Sequence, residues 1–299
     1  MTTTDQQHAR ALRDHIEPLV GQVYFSPECH AAYAGLGFAA SPVTIGDVEM
    51  PDGAAYFTSR GSLMGQVPGE VVAAAFAVFN PAVVVPAVAY GWSLTDADTI
   101  YAARHDGACA QLTRVLGAPP DGIDDAVALL RRACEPLEPA GKPLFAGALS
   151  QEWPGDPIGD LFHAGDLLRE YRGDAHTAAW TARGLDAVEV GLLTEQYWGV
   201  PARSYIRTRA WSNEQLDAAA ARLVGRGWLA DGALTDAGRA VREEIERTTD
   251  AQLEPAVGAL GDDIEALFGM LAPWGAAVIA AGGYPGVGGL LGSGRDATT

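Results

Sequence analysis

Groups that could do acid–base or anion-binding chemistry are concentrated between residues 163 and 176, where the flanking sequence is typical of buried helix. They are His163, Asp166, Arg169, Glu170, Arg172, Asp174 and His176. Burying such groups is costly unless they pair with one another or with a ligand. The stretch therefore predicts a pocket. The competing interpretation is a buried ion network that holds helices together and carries no chemistry.

The residue types indicate which chemistry such a pocket would support. A carboxylate beside an imidazole raises its basicity and makes a general acid–base couple near neutral pH. The candidate catalytic residues are His176, Glu170 and Asp174. Guanidinium groups bind carboxylate, sulfate or phosphate bidentately. The candidate substrate-binding residues are Arg60, Arg169, Arg172, His163 and Tyr56. Surface pairing of Arg60 with Asp47, Glu49 or Asp52 is the alternative for that residue.

The spacing allows two local geometries. Seven positions at 100° per residue bring His163 and Glu170 within about 20° on one helix, with Asp166 nearby. Alternatively, the helix ends at Gly173 and Asp174 caps a second helix over residues 175–183. A metal site on the first seam lacks support from a second histidine-rich helix. We expect no metal and no cofactor.

Composition limits the classes of protein. The 299 residues carry a formal charge of −18, which disfavours nucleic acid and anionic membranes as partners without excluding a locally basic face. Residues 71–92 are apolar but interrupted by Pro81 and Pro86, which predicts a buried helix pair and not a membrane span. No signal peptide is evident, and the three cysteines show no metal or disulfide spacing. A cytoplasmic protein is expected.

Helical periodicity dominates, so the predicted fold class is mainly α, with a multi-helical N-terminal domain. Residues 212–250 are different in character. Ser212 and Gln215 form a capping box, Asp231-Gly232 is a strong turn signal for a hairpin near residues 228–235, and Thr235 caps another helix. The predicted division is a helical pocket domain (1–185), a winged-helix-like domain (186–250), a C-terminal helical segment for dimerisation (251–281) and a flexible Gly-rich tail (282–299).

Residues 223–240 resemble the recognition-helix end, wing and following helix of MarR-type winged-helix regulators. The whole chain is similar to an actinobacterial helix-turn-helix-like family of largely uncharacterised proteins. The strings that carry this resemblance are residues 56–60, 79–84 and 168–176. The third reads Leu-Arg-Glu-Tyr-Arg-Gly-Asp-Ala-His, with Tyr171 and Ala175 in place of two typical residues. The resemblance implies a degenerate winged helix and gives no general activity.

The predicted wing, residues 230–233, carries no positive charge, and residues 203–247 contain eight Arg against seven acids. The favoured hypothesis is therefore a cofactor-independent enzyme of actinobacterial specialised metabolism. It would act on a small anionic substrate by elimination, isomerisation or intramolecular cyclisation. The alternative is a ligand-sensing MarR-like regulator. Expected partners are a small anionic metabolite and a second copy in a homodimer, with a partner enzyme as a further option.

Overall fold

The computed structural model describes residues 2–285, which are mainly helical. The expected fold class, mainly α with a short β-wing, is confirmed. The helices before the segment 163–176 are α1 (Thr3–Gly21), α2 (Pro27–Gly35), α3 (Gly53–Gly61), α4 (Gly69–Phe76), α5 (Pro81–Leu94), α6 (Ala97–Leu116), α7 (Ile123–Cys134) and α8 (Pro143–Leu149). The remainder are α9 (Pro157–Thr181), α10 (Ala187–Trp198), α11 (Asn213–Gly225), α12 (Asp236–Ala251), α13 (Glu254–Leu260) and α14 (Ile264–Ala280).

Two antiparallel hairpins accompany the helices. The predicted one joins β3 (Leu229–Ala230) to β4 (Ala233–Leu234). Its turn residues Asp231 and Gly232 have φ of 51° and 79°, the left-handed values that a type I′ turn requires. A second hairpin, β1 (Thr44–Ile45) and β2 (Val48–Glu49), was not predicted, because two-residue strands are too short to show alternation.

Helix α9 is the central element. The Asp156 side chain accepts a hydrogen bond from the Gly159 amide, Pro157 occupies the first turn, and the helix continues to Thr181. It passes through Gly173 without interruption, so the predicted alternative of a break at that glycine is wrong. It packs against α1, α6, α7, α8 and α12, and this central position explains why its polar residues are buried.

The apolar core forms two clusters. The larger combines α1 to α9 with α13 and α14, and the smaller lies among the end of α9, α10, α11 and α12. Leu193, Ile206 and Leu216 are fully buried at the centre of the smaller cluster. The segment α11–β3–β4–α12, residues 213–251, is called the helix–hairpin–helix segment below. The domain limits given above stay a prediction.

The C-terminal helices pack within this chain. The residues expected to be available for dimer packing are Leu267, Met270, Leu271, Trp274, Val278 and Ile279. Four of them, Leu267, Leu271, Trp274 and Val278, are buried in the larger cluster, with α14 against α1, which corrects the expectation for these four. Met270 is partly buried and Ile279 is 36% exposed, so for these two dimer packing stays a prediction.

The first four residues of the expected flexible tail, 282–285, make specific contacts. Tyr284 donates a hydrogen bond from Oη to Glu17 Oε1 at 3.1 Å, and its ring meets the Phe25 ring edge-on with centroids 5.7 Å apart. Gly283 donates from its amide to the Val278 carbonyl. Residues 282–285 are thus held on α1 and α14. The rest of the predicted tail, 286–299, lies outside the described residues.

Among residues 2–285, one helical stretch, Glu254–Ala280, is long and apolar enough by length and composition to cross a membrane. A core helix of a soluble protein has the same composition, and Leu267 and Leu271 on this stretch are fully buried against other helices. A single stretch of this kind is weak evidence for a membrane span. The other apolar region, residues 71–92, forms the predicted helix pair α4 and α5. The pair is only partly buried, contrary to the prediction, since Val71, Val83 and Tyr90 are exposed.

Candidate functional site

Glu170 lies fully buried on α9 at the centre of an ion-pair network. Its carboxylate accepts hydrogen bonds from Arg60 Nε at 2.9 Å and Nη2 at 2.5 Å, and from Arg169 Nη1 at 3.1 Å. Tyr24 Oη donates a longer bond of 3.4 Å. The structure therefore brings together three of the predicted site residues. Because Arg60 pairs with Glu170, the alternative of a surface carboxylate partner for Arg60 is wrong.

This network is satisfied by its own members. The remaining nitrogens of Arg169 donate to Glu17 at 3.2 and 3.3 Å, and its guanidinium lies 4.9 Å from the Tyr24 ring centroid. The Arg60 guanidinium lies 4.6 Å from the Phe76 ring centroid. Tyr56 contributes an aromatic edge to Tyr24, with centroids 5.0 Å apart. Glu170, Arg60, Arg169 and Glu17 therefore form an ion network that is packed against aromatic rings.

The protonation state of Glu170 follows from the same contacts. Burial raises the pKa of its carboxyl, but the charges of Arg60 and Arg169 outweigh burial and lower the pKa to about 2. A carboxylate that is ionised at every physiological pH cannot exchange protons with a substrate. Its geometry supports a structural role for Glu170.

Asp174 caps a helix other than its own. Its Oδ2 accepts the amide hydrogens of Leu144 and Phe145, each at 3.0 Å, in the first turn of α8. Helix α8 has no side-chain cap from Lys142, so Asp174 supplies this bond from across the core. Burial raises its pKa to about 6, although the bond from the Phe145 amide lowers it. This cap explains an acidic residue within the buried face of α9.

His163 lies on a different part of α9. Its ring meets the Trp153 ring edge-on with centroids 4.7 Å apart, and its Nε2 has no hydrogen-bond partner among the described residues. Burial lowers its pKa, so the ring is neutral, although Asp166 acts in the opposite direction. Asp166 itself accepts two hydrogen bonds from the fully buried Arg104, at 2.8 and 3.0 Å. Arg104 was not predicted from the sequence.

His176 and Arg172 border a cavity of about 200 Å³. Its walls come from α1, α9, α10 and α12, from the chain before α11, and from Val78 and Tyr284. The residues that line it are Arg13, Asp14, Glu17, Val78, Arg172, His176, Val190, Gly191, Thr194, Trp198, Tyr205, Ile206, Arg209, Arg242, Glu246 and Tyr284. Of the residues predicted for a site, only His176 and Arg172 line this cavity. His163, Arg60, Arg169, Glu170, Asp174 and Tyr56 do not.

Glu246 organises the cations on one wall of the cavity. Its two oxygens pair with Arg242 Nη2 at 2.6 Å and Arg172 Nη2 at 2.9 Å, and Arg13 Nη1 lies 3.7 Å away. Arg13 is itself bonded to Asp14 at 2.8 and 3.0 Å. Burial raises the pKa of Glu246, but the nearby guanidiniums outweigh this and lower it. Glu246 is therefore ionised and fully engaged.

His176 is neutral, and its hydrogen bond assigns the tautomer. Burial lowers its pKa, and the charges of Arg242, Arg172 and Arg13 lower it further, to about 3, against an opposing effect of Glu246. Its Nδ1 lies 3.1 Å from Thr249 Oγ1, and that hydroxyl donates to the Ile245 carbonyl. Nδ1 must therefore donate to Oγ1, which leaves Nε2 as the acceptor. Neither Glu170 nor Asp174 is its hydrogen-bond partner, contrary to the predicted couples.

Sequence reasoning missed Arg13, Arg209, Arg242 and Glu246. A signal existed for the last two, because Arg242 and Glu246 are four residues apart on a strongly amphipathic helix and form an i,i+4 pair. No comparable signal marks Arg13 or Arg209. These two reach the cavity from α1 and from the turn Ile206–Arg209, and only the packing of distant elements brings them there.

Several cations on and beside the exposed side of the helix–hairpin–helix segment are paired within the chain, whereas the exposed Arg239 on α12 has no ion pair among the described residues. Arg222 pairs with Asp186 and Glu189, and Arg203 pairs with Asp217. Arg226 donates to the Gly184 carbonyl at 3.0 Å. Charges paired in this way present little net positive potential to a phosphate backbone. The face is close to neutral, as the count of Arg and acidic residues in this region indicates.

Comparison with known proteins gives one result. The sequence model of a helix-turn-helix family matches residues 9–285, which is nearly the whole chain. No curated protein and no solved structure matches it. The match includes the helix–hairpin–helix segment and also the helices that form the cavity. The chain belongs to this helix-turn-helix family.

Proposed function

We propose that this protein is a ligand-sensing helix-turn-helix regulator, in which a small molecule in the cavity sets the position of a MarR-like winged helix. The observation that carries the proposal is the shared wall of the cavity. Residues of α1 and α9 line it together with residues of α10 and of the turn Ile206–Arg209, which directly precedes α11. A ligand there contacts both parts of the chain. The sensor is expected to work in the cytoplasm, where its DNA is.

Coupling follows from the residues that cross the cavity. Arg242 of α12 donates from Nε to Thr194 Oγ1 of α10 at 3.2 Å, and it pairs with Glu246, which in turn holds Arg172 of α9. A ligand that accepts a hydrogen bond from Arg242 would join this network through Nη1, which has no partner among the described residues, and would thereby change the relation between α9, α10 and α12. A ligand shifts such an equilibrium only by its difference in affinity for the two arrangements. This network provides that difference.

DNA binding in this proposal uses α11 as the recognition helix. The side chains of Arg222 and Asp186 are 46% and 50% exposed, and an exposed ion pair contributes about 0–1 kcal/mol. Arg222 can therefore leave Asp186 for a phosphate at small cost. The second partner of Arg222, Glu189, is buried. The hairpin turn carries Asp231 and no cation. We expect weak, strongly salt-dependent binding, which dimerisation would strengthen by presenting two helices to two half-sites.

The test is fluorescence anisotropy with DNA that contains the region upstream of the protein's own coding sequence, starting at roughly 50 mM salt. The double substitution Arg222→Gln/Arg226→Gln should weaken binding and reduce the salt slope by about 2. Arg114→Gln, a half-exposed cation on α6, is the matched control and should change neither quantity. Absence of binding at this salt concentration would refute the regulator.

The enzyme remains a second candidate because a neutral imidazole, His176, lines a cavity with guanidinium groups. It would act without a cofactor on a small anionic metabolite, alone or with a partner enzyme. The geometry supports it less, since Glu170 and Asp174 are bonded elsewhere and a pKa of about 3 makes His176 a poor base near neutral pH. Chemical conversion of a compound that binds the cavity, lost in His176→Asn, would favour this candidate.

A further inference from the structure

The geometry points to a compact oxyanion that keeps one O–H group, such as hydrogen phosphate, as the ligand held between Arg209, Arg242 and His176. This inference names the ligand class of the cavity described above, and it rests on the proposed function in taking that cavity as a binding site. Nothing in the family match specifies a ligand. The argument depends on which donors and acceptors around the cavity are already engaged.

Arg209 is a cavity cation that lacks an anionic partner. Within residues 2–285, its guanidinium forms no ion pair with a carboxylate, and its Nε has no hydrogen-bond partner. The guanidinium lies 4.6 Å from the Phe79 ring centroid and 4.5 Å from that of Tyr205. Its main chain is also fixed, because the Asn80 amide donates to the Arg209 carbonyl at 3.0 Å. Arg209 is thus a positioned cation with unused donors.

Arg242 adds a second cation. Its side chain is 1% exposed, and two of its nitrogens are fixed by Thr194 and Glu246. The third, Nη1, is buried with no hydrogen-bond partner in the described part of the chain. A buried donor without an acceptor costs about 1–3 kcal/mol. An oxyanion in the cavity would offer the acceptor that these residues lack.

The carboxylates around the cavity are engaged already. Both oxygens of Asp14 accept from Arg13, Glu246 is held by Arg242 and Arg172, and Glu17 accepts from Arg169 and Tyr284. Donors therefore exceed free acceptors in the lining. Burial is the main cause of the lowered pKa of His176, and the surrounding guanidiniums lower it further because they disfavour another positive charge there. A positive local potential selects an anion.

The size of the cavity and the hydrogen-bond acceptor on His176 limit the class of anion that the cavity can bind. About 200 Å³ is below the roughly 300–1,000 Å³ typical of pockets for drug-sized ligands, so the anion is small. Because His176 Nδ1 donates to Thr249, Nε2 is an acceptor, and it makes no hydrogen bond among the described residues. Hydrogen phosphate can donate its O–H to Nε2 while its other oxygens accept from the guanidiniums. Sulfate has no proton to donate and would place an oxygen against that lone pair.

Isothermal titration of the full chain with inorganic phosphate and with sulfate at neutral pH tests this assignment. Phosphate should bind at least about tenfold more tightly than sulfate, which corresponds to about 1.4 kcal/mol. Methyl phosphate at a pH where it keeps its proton distinguishes an ester from the free ion. Tighter binding of the ester would assign the cavity to a phosphate ester, and tighter binding of phosphate to the inorganic ion.

Three variants locate the binding. Arg209→Gln should weaken phosphate at least about tenfold, as expected for a lost charge-assisted hydrogen bond. Arg114→Gln should leave the affinity unchanged. His176→Asn keeps a donor near Thr249 but removes Nε2, so it should bring the phosphate and sulfate affinities close together. Thermal melts of each variant check that the fold is retained.

Clear outcomes would overturn the inference. They are no phosphate binding up to about 10 mM, equal affinity for sulfate in the unsubstituted chain, or equal losses in Arg209→Gln and Arg114→Gln. The DNA result is independent of these. Phosphate binding with the expected variant pattern but no DNA binding would refute the regulator and keep the ligand assignment. DNA binding without phosphate binding would keep the regulator and refute the ligand assignment.

Discussion

Substitution of Glu170 by Gln tests whether the polar segment of α9 is held by a buried ion network. The change keeps the shape of the side chain and removes its charge. Arg169 retains Glu17 as a partner, but Arg60 would have no carboxylate, since its ion pair in the structure is with Glu170 alone among the described residues. The Arg60 side chain is only 12% exposed, so water cannot replace the lost partner fully.

Two arguments give the expected loss of stability in Glu170→Gln. Removing one member of a buried ion pair costs about 3–5 kcal/mol, because it leaves an uncompensated charge. Independently, the Glu170 pKa is lowered from 4.5 to about 2, which corresponds to about 3 kcal/mol of stability at neutral pH. The folded pKa is depressed, so this stability is fully present above pH 4.5 and is lost as the pH falls toward 2. The two routes agree.

The assay is urea denaturation of the full chain, repeated as a function of pH. Glu170→Gln should lower the free energy of unfolding by about 3–5 kcal/mol at pH 7 and remove its share of the acid dependence. Asp106→Asn is the matched control, because the Asp106 side chain is 82% exposed, and it should change stability little. In Arg60→Met/Glu170→Met the orphaned charge is absent, so the double variant should be more stable than Glu170→Gln. A loss below about 1 kcal/mol in Glu170→Gln would refute the reasoning.

Three further predictions concern α9, α8 and α14. The pKa of His176 is about 3 in the folded state, below the unfolded value of 6.5. The contribution of His176 to the free energy of unfolding should therefore be constant above pH 6.5 and be smaller by up to about 2 kcal/mol at pH 5. In urea titrations at several pH values, His176→Asn should lack this pH-dependent contribution. Asp174→Ala should lower the free energy of unfolding by about 1–3 kcal/mol, because it leaves two amides of α8 without an acceptor. Amide hydrogen exchange at Leu144 and Phe145 should become faster. Unchanged exchange would contradict the role of Asp174 as the cap of α8. Leu271→Ala should cost about 2–5 kcal/mol in thermal or urea unfolding without changing the sedimentation coefficient, whereas a change of oligomeric state alone would place α14 in an interface.

Much of the fold is determined by local sequence. The capping box at Ser212 and Gln215, the cap at Thr235 and the left-handed turn at Asp231 and Gly232 each form through bonds between residues at most four positions apart. Hydrophobic periodicity likewise predicted a mainly helical chain, as the structure has it. These signals were sufficient for the fold class, because each depends on neighbours along the chain. The hairpin at 44–49 was missed for the same reason, since its strands are too short to show a period.

The tertiary structure decided which polar residues share a site. On the sequence, Arg169, Glu170, Arg172 and His176 look like one constellation, but successive positions on a helix point to different neighbours. Glu170 turns toward Arg60 on α3, and His176 turns toward Thr249 and a cavity bordered by Arg209 and Arg242. Arg60 is 110 positions from Glu170 and Thr249 is 73 positions from His176, so local sequence contains no record of these contacts. The sequence determined that α9 is polar and buried, and the packing of α1, α3, α10 and α12 around it decided which of its charges face a cavity.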